Sequence, residues 1–169
     1  MACPLCISDP DSHCFVKFGT IAGVDLVYTA PSRTKVIVEN ENNILNFKLH
    51  IDSEKGRPWI WILDCRGMKM KHYASIKFTM RLANILVNEH RDFLQEIIIL
   101  HANDWIRSLL IIFKKTFSAG LMKKVNILQG EKVELYLTLQ SKGISGPPLQ
   151  WLTAVFMTLP EPGHLPAVT

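Results

Sequence analysis

No stretch of this sequence is both long and uncharged enough to cross a bilayer. The longest apolar run, Ile97 to Phe113, is broken by His101, Asn103, Asp104 and Arg107. The N-terminus lacks a basic segment followed by an apolar signal core, and Asp9, Pro10 and Asp11 come directly after the first two cysteines. A cytoplasmic chain that neither spans the membrane nor is secreted is therefore expected. Charge of one sign is also scarce. The 19 basic residues exceed the 15 acidic ones by only four, and they are scattered along the chain, which gives nucleic acid no basic stripe to bind. Gly19 and Gly23 have neither a phosphate-loop nor a dinucleotide spacing, and no Gly-Lys-Ser/Thr follows them. No Gly-x-Ser-x-Gly elbow is present, so the sequence contains no recognisable hydrolase signature.

Cysteines number only four: Cys3, Cys6, Cys14 and Cys65. In an intracellular protein these are thiols. Cys3-Pro-Leu-Cys6 has the spacing of half a zinc site, which His13 and Cys14 would have to complete. Adjacent ligands are awkward to direct at one ion and no second well-spaced pair exists, so a reduced arm over residues 1–13, without metal or cofactor, is the expectation. Asp64 and His101 fall at the ends of predicted strands, where α/β proteins place their sites. A capping aspartate and a hydrogen-bonded histidine are commoner at such positions than an acid/base pair, and a non-enzyme is expected.

What the chain does have is core. It is 48% apolar over 169 residues, enough for one domain, placed here at 14–158 with a mobile tail over 159–169. Cys14 to Phe18 and Val24 to Thr29 predict a hairpin around a glycine-bearing loop from Gly19 to Gly23. Lys35 to Glu39 is a short β-branched run, of the composition that favours strands. Ile44 to Ile51 alternates like a half-buried strand after the Asn40 to Asn43 turn. Pro58 to Leu63 is a continuous apolar run of the kind buried on both sheet faces. His72 to Glu89 has a helical period, with Tyr73, Ile76, Met80, Ala83 and Val87 on one face. Glu96 to Leu100 is a second core strand, followed by a helix from Trp105, capped by Asn103 or Asp104, that runs to Ser118. Lys124 to Leu128 is a third, and Glu131 to Lys142 a last helix, stopped at Gly143 ahead of Pro147 and Pro148. Strand-helix alternation from Trp59 to Gly143 predicts an α/β fold, a mostly parallel or mixed sheet flanked by helices behind an N-terminal hairpin.

Two segments carry a more specific likeness. Glu96-Ile-Ile-Ile-Leu-His-Ala leads into Trp105-Ile-Arg-Ser-Leu-Leu-Ile-Ile-Phe-Lys114 and then into Lys124-Val-Asn-Ile-Leu128. On these the stretch from Cys14 to Trp151 resembles the CRAL-TRIO lipid-binding domain, and Ile106 to Lys114 is most similar to the branch found with Rho GTPase-activating and macro domains. The resemblance implies a lid helix over Trp105 to Ser118, and Lys124 matches a lysine that helps phosphatidylinositol-binding members hold the headgroup. Its acidic partner position falls on Phe93, with Asp92 beside it, and residues 1–13 do not match the family's helical N-terminal subdomain. The strand-like Ile44 to Ile51 stands where the family has a helix.

The expected function is non-catalytic binding of a lipid or other small hydrophobic ligand between the sheet and the lid helix. Trp61, Leu63, Ile99, Leu109, Ile112 and Phe113 are the expected lining, with Lys124 at the headgroup. Lys114, Lys115 and Lys123 would meet an anionic membrane surface. The alternative is a protein-interaction or assembly module of the same fold with a closed pocket, binding a partner such as a small GTPase.

Overall fold

The computed structural model describes residues 3–9, 14–35, 37–158 and 165–168. Five strands form one sheet in the order β1-β2-β3-β4-β5, with β1 at Val16–Ile21, β2 at Val24–Thr29, β3 at Trp59–Asp64, β4 at Leu94–Leu100 and β5 at Val125–Leu128. β1 pairs with β2 antiparallel and the other three pairings are parallel. This is the expected α/β class. Parallel neighbours need crossovers, and helices supply them. α2 (Glu41–Asp52) leads into β3, α3 (Ile76–His90) into β4, and α4 (Asp104–Thr116) with α5 (Ala119–Met122) into β5; α1 (Pro4–Ser8) precedes the sheet, and α6 (Lys132–Ser141) and α7 (Gly146–Met157) close it.

The central strands alternate across the sheet. Leu26, Tyr28, Ile62, Ile98 and Leu100 face α6 and α7, where they join Leu135, Leu139, Trp151, Leu152, Val155 and Phe156 in one core. The opposite face divides in two. Val27, Trp59 and Leu94 pack with Ile51 of α2 and Leu86 of α3, whereas Cys65, Ile99 and Ala102 pack with Ile106 and Leu109 of α4. The unbroken apolar run of β3 thus serves two different layers.

Several expectations are corrected. The hairpin loop is only the two residues Ala22 and Gly23, at φ 49° and 80°, the left-handed pair that matches strand twist. Gly19 lies inside β1 at a register shift, and a Cβ there would stand 2.5 Å from Pro148 Cγ, so its role is to admit α7 rather than to turn the chain. Ile44 to Ile51 is helical. Asn40 Oδ1 accepts from Asn43 N (2.8 Å), and Ile44, Phe47 and Ile51 share an i, i+3, i+7 face, of which Phe47 and Ile51 dock on the tryptophans of β3. Among the described residues of 35–39 no strand forms. α3 starts at Ile76 because Ser75 caps it, accepting from Phe78 N, and its inner face is Phe78, Leu82 and Leu86; Ile76 is exposed. Pro147 and Pro148 do not end the structure. They occupy the first turn of α7, where a missing N–H costs nothing, and α6 is therefore not the last helix. Of the expected tail, 159–164 and 169 lie outside the described residues, while Leu165 packs on the α7 core and Pro166 O accepts from Trp151 Nε1 (2.9 Å).

Candidate functional site

Between the two clusters on the α2–α5 face the layers do not meet, and a cavity of about 170 Å³ remains. Its floor is Trp61 and Leu63 of β3, Ile97 and Ile99 of β4, and Val125 of β5. Phe47 of α2 and Leu82, Ala83 and Leu86 of α3 form one wall; Ile106, Leu109, Leu110 and Phe113 of α4 form the roof, closed at one end by Phe117, Leu121 and Met122. Thr79 is the one hydroxyl in this lining, and it donates to Ser75 O within its own helix (2.9 Å). The Trp61 indole N–H donates to Thr29 Oγ1 (2.9 Å). Both polar groups are therefore satisfied internally, and what the site presents to an occupant is apolar surface.

The roof is held unequally along its length. At its N-terminal end Asn103 Oδ1 accepts from Ile106 N (3.0 Å) while Asn103 Nδ2 donates to Tyr73 Oη (3.4 Å), and the Tyr73 and Trp105 rings stack at 5.5 Å. Toward the C-terminal end Ile111, Lys114, Lys115 and Thr116 are exposed, and Phe113 meets Phe117 edge-on at 5.4 Å. On the outside of α4, Arg107, Ile111 and Lys114 border an open depression of about 390 Å³ with Met122 of α5 and Ile127 of the edge strand β5.

The sequence profile of the CRAL/TRIO domain matches residues 43–142, from the first turn of α2 to the end of α6. The chain belongs to the CRAL/TRIO domain family. No curated protein matches it. Members of the CRAL/TRIO family are in general ligand-binding transfer proteins, which points to a lipid or other small hydrophobic ligand.

Within this CRAL/TRIO domain Trp61, Leu63, Ile99, Leu109 and Phe113 all line the cavity. Ile112 is half-buried on α4 but is not part of the lining. Lys124 lies just before β5, where its ammonium donates to Arg91 O (2.7 Å) and Leu94 O (2.6 Å), so it ties the turn before β4 to β5. Lys115 and Lys123 are exposed, and Lys114 borders the outer depression. Sequence reasoning misses Phe47, because Ile44 to Ile51 alternates like a strand, and Leu82 and Leu86, although Ala83 and Val87 of the expected α3 face do line the cavity. The i, i+3, i+7 spacing of Ile44, Phe47 and Ile51 was the available signal.

Asp64 and His101 do not form a pair. The Asp64 carboxylate accepts from Tyr28 Oη (2.7 Å) and from Arg66 Nε and Nη2, and Arg66 also donates to Val155 O and Phe156 O at the end of α7. His101 sits at φ 52° after β4, and burial lowers its pKa, with the Asp64 charge opposing the shift. Burial likewise pushes the Cys14 thiol up to about 11 and Cys65 to about 12, which keeps both protonated and unreactive at neutral pH. Of the ligands considered for a zinc site, His13 lies outside the described residues and Cys14 belongs to the α7 core, whereas Cys3 and Cys6 gather around His50 of α2.

Proposed function

We propose that this CRAL/TRIO domain binds a lipid or similarly apolar ligand under α4, without catalysis, and loads it at an anionic membrane surface. The observation that carries the reading is the apolar cavity between the sheet and helices α2 to α5, whose two polar side chains are internally bonded. Ligand pockets usually measure about 300–1,000 Å³. At about 170 Å³ this one is nearer the ~150 Å³ engineered cavity that takes a single benzene, so a full acyl chain requires the roof to move. The anchoring of α4 at Asn103 and Tyr73, and the exposure of its other end, favour outward motion of residues 111–122. Each methylene buried would contribute about 0.8 kcal/mol.

Docking would use the depression between α4 and β5. Ile111 and Ile127 are apolar there, at 58% and 37% exposure, with Arg107 and Lys114 alongside and Lys115 and Lys123 nearby to meet lipid phosphates. The small volume of the cavity favours a second reading, a closed interaction module with a protein partner such as a small GTPase, in line with the likeness of Ile106 to Lys114 to the branch fused to Rho GTPase-activating and macro domains. Native mass spectrometry of the purified chain, followed by organic extraction, separates the two. A stoichiometric lipid supports the carrier. A clean apo mass that stays unchanged after incubation with mixed liposomes removes it and leaves the interaction module. Ala83→Leu, which adds bulk inside the cavity, should lower lipid uptake; Lys114→Glu with Lys115→Glu should weaken only vesicle binding.

A further inference from the structure

The N-terminal segment carries chemistry that ligand binding under α4 does not use. Cys3 stands at the residue before α1 and Cys6 lies in its first turn, and the fold brings His50, in the last turn of α2, to the same place. Cys6 Sγ and His50 Nε2 are 3.5 Å apart, and with Cys3 Sγ all three donor atoms lie within 4.8 Å of one another. In a tetrahedral centre with zinc–sulfur bonds of about 2.3 Å and zinc–nitrogen bonds of about 2.0–2.1 Å, neighbouring sulfur and nitrogen ligands stand about 3.5 Å apart. The Cys6–His50 separation already has that value. Cys-x-x-Cys lets two sulfurs face one point, and the third donor arrives from 44 residues along the chain.

The donors are also oriented by their neighbours. Cys3 Sγ donates to Asn46 Oδ1 (3.6 Å), one turn before His50 on α2, a bond that gives way on loss of the thiol proton to one the thiolate accepts from the turned Asn46 amide N–H, and the Phe15 ring stacks on the His50 imidazole at 4.7 Å. Metal ligands are characteristically fixed by such outer contacts. α1 is a five-residue helix with no buried side chain within its bounds, too short to be stable alone. A tie from Cys3 and Cys6 to α2 would fix it. The second group of this size among the described residues, Asp52, Glu89 and His90, already holds a cation of the protein's own, because the Lys48 ammonium pairs with both carboxylates.

We propose that Cys3, Cys6 and His50 bind a zinc ion that staples the N-terminal segment to α2, on the helix that walls the apolar cavity through Phe47. Two thiolates and a neutral imidazole form a soft, borderline donor set that suits zinc and excludes magnesium and calcium. Binding releases the two thiol protons to solvent and leaves the zinc with its two thiolates neutral, with the fourth tetrahedral position open to water or a further side chain.

The test is cobalt(II) titration of the full chain under reducing conditions, with zinc displacement and elemental analysis after buffer exchange. The expected result is one metal per chain, thiolate-to-cobalt charge-transfer absorption with intense tetrahedral ligand-field bands, and loss of both on adding zinc. Cys6→Ser and His50→Ala should weaken the metal about a hundredfold or more, whereas Cys65→Ala should retain it. None of the three donors belongs to the main core clusters, so circular dichroism should show the variants folded. Octahedral cobalt bands without charge transfer, no retained zinc, or unchanged uptake by Cys6→Ser would overturn the site. Because the cobalt spectrum of the unaltered chain is decisive by itself, a misfolded variant would not rescue the proposal.

Discussion

At the end of β3 a single carboxylate organises three elements. Asp64, 1% exposed, accepts from Tyr28 of β2 and from Arg66, whose Nη1 donates to Phe156 O and whose Nη2 donates also to Val155 O near the end of α7. The cation at a helix C-terminus also meets the negative end of its dipole. Removing one member of a buried charged pair strands the other, so Asp64→Asn should destabilise by about 3 kcal/mol in urea unfolding, against about 1 kcal/mol for Tyr28→Phe. Histidines set the pH response. Burial lowers the pKa of His72, His90 and His101 below the ordinary 6.5, with Asp52 opposing the shift at His90. The unfolded chain then binds more protons than the folded one just below pH 6.5. Stability is full above that value and falls as pH drops through it. Urea midpoints should be lower at pH 5.5 than at pH 7.5, and the difference should shrink in His90→Gln; an unchanged difference would assign the effect to other groups.

Among the elements, α7 and α4 show opposite uses of an apolar helix. α7 buries Pro148, Leu149, Trp151, Leu152, Val155 and Phe156, and its first turn sits so close to β1 that Gly19→Ala has no space. That substitution should cost roughly 1–3 kcal/mol by pushing Pro148 outward, read as a lower urea midpoint with unchanged slope. α4 instead buries only Ile106 and Leu109, and lends both, with Leu110 and Phe113, to the roof of a cavity. Its start was legible, since Asn103 was one of two capping candidates and does cap the helix. The nature of α2 was not. Phe47, Leu49 and Ile51 fit a period of two while Ile44, Phe47 and Ile51 fit the helical one, and what decides is the Asn40 cap together with the tryptophan surface on which α2 lands.

For the molecule as a whole, one sheet carries a closed core on one side and a divided one on the other. A ligand that binds only the folded chain stabilises it by about 2.7 kcal/mol at a hundred times its Kd. If the space under α4 is where lipid goes, loading should raise the melting temperature and slow amide exchange across residues 111–122 more than in β3 and β4. Equal protection everywhere would place the ligand outside the roof. The small present volume of the cavity makes this contrast the more informative of the two readouts.

The alternation of strand and helix from Trp59 to Gly143 was determined by the sequence alone, because buried parallel strands and one-sided helices leave different periods in the chain. So was most of the cavity floor, since Trp61, Leu63 and Ile99 are every-other residues of core strands. Only the tertiary structure decided that Ile44 to Ile51 is a helix, that two prolines open α7, and that the face under α4 stays unfilled. It also decided that His50, rather than a neighbour in sequence, joins Cys3 and Cys6. The reason is common to all four. Local periodicity reports which way a side chain points relative to its own segment, whereas caps, cavities and ligand sets depend on which distant segment arrives to meet it.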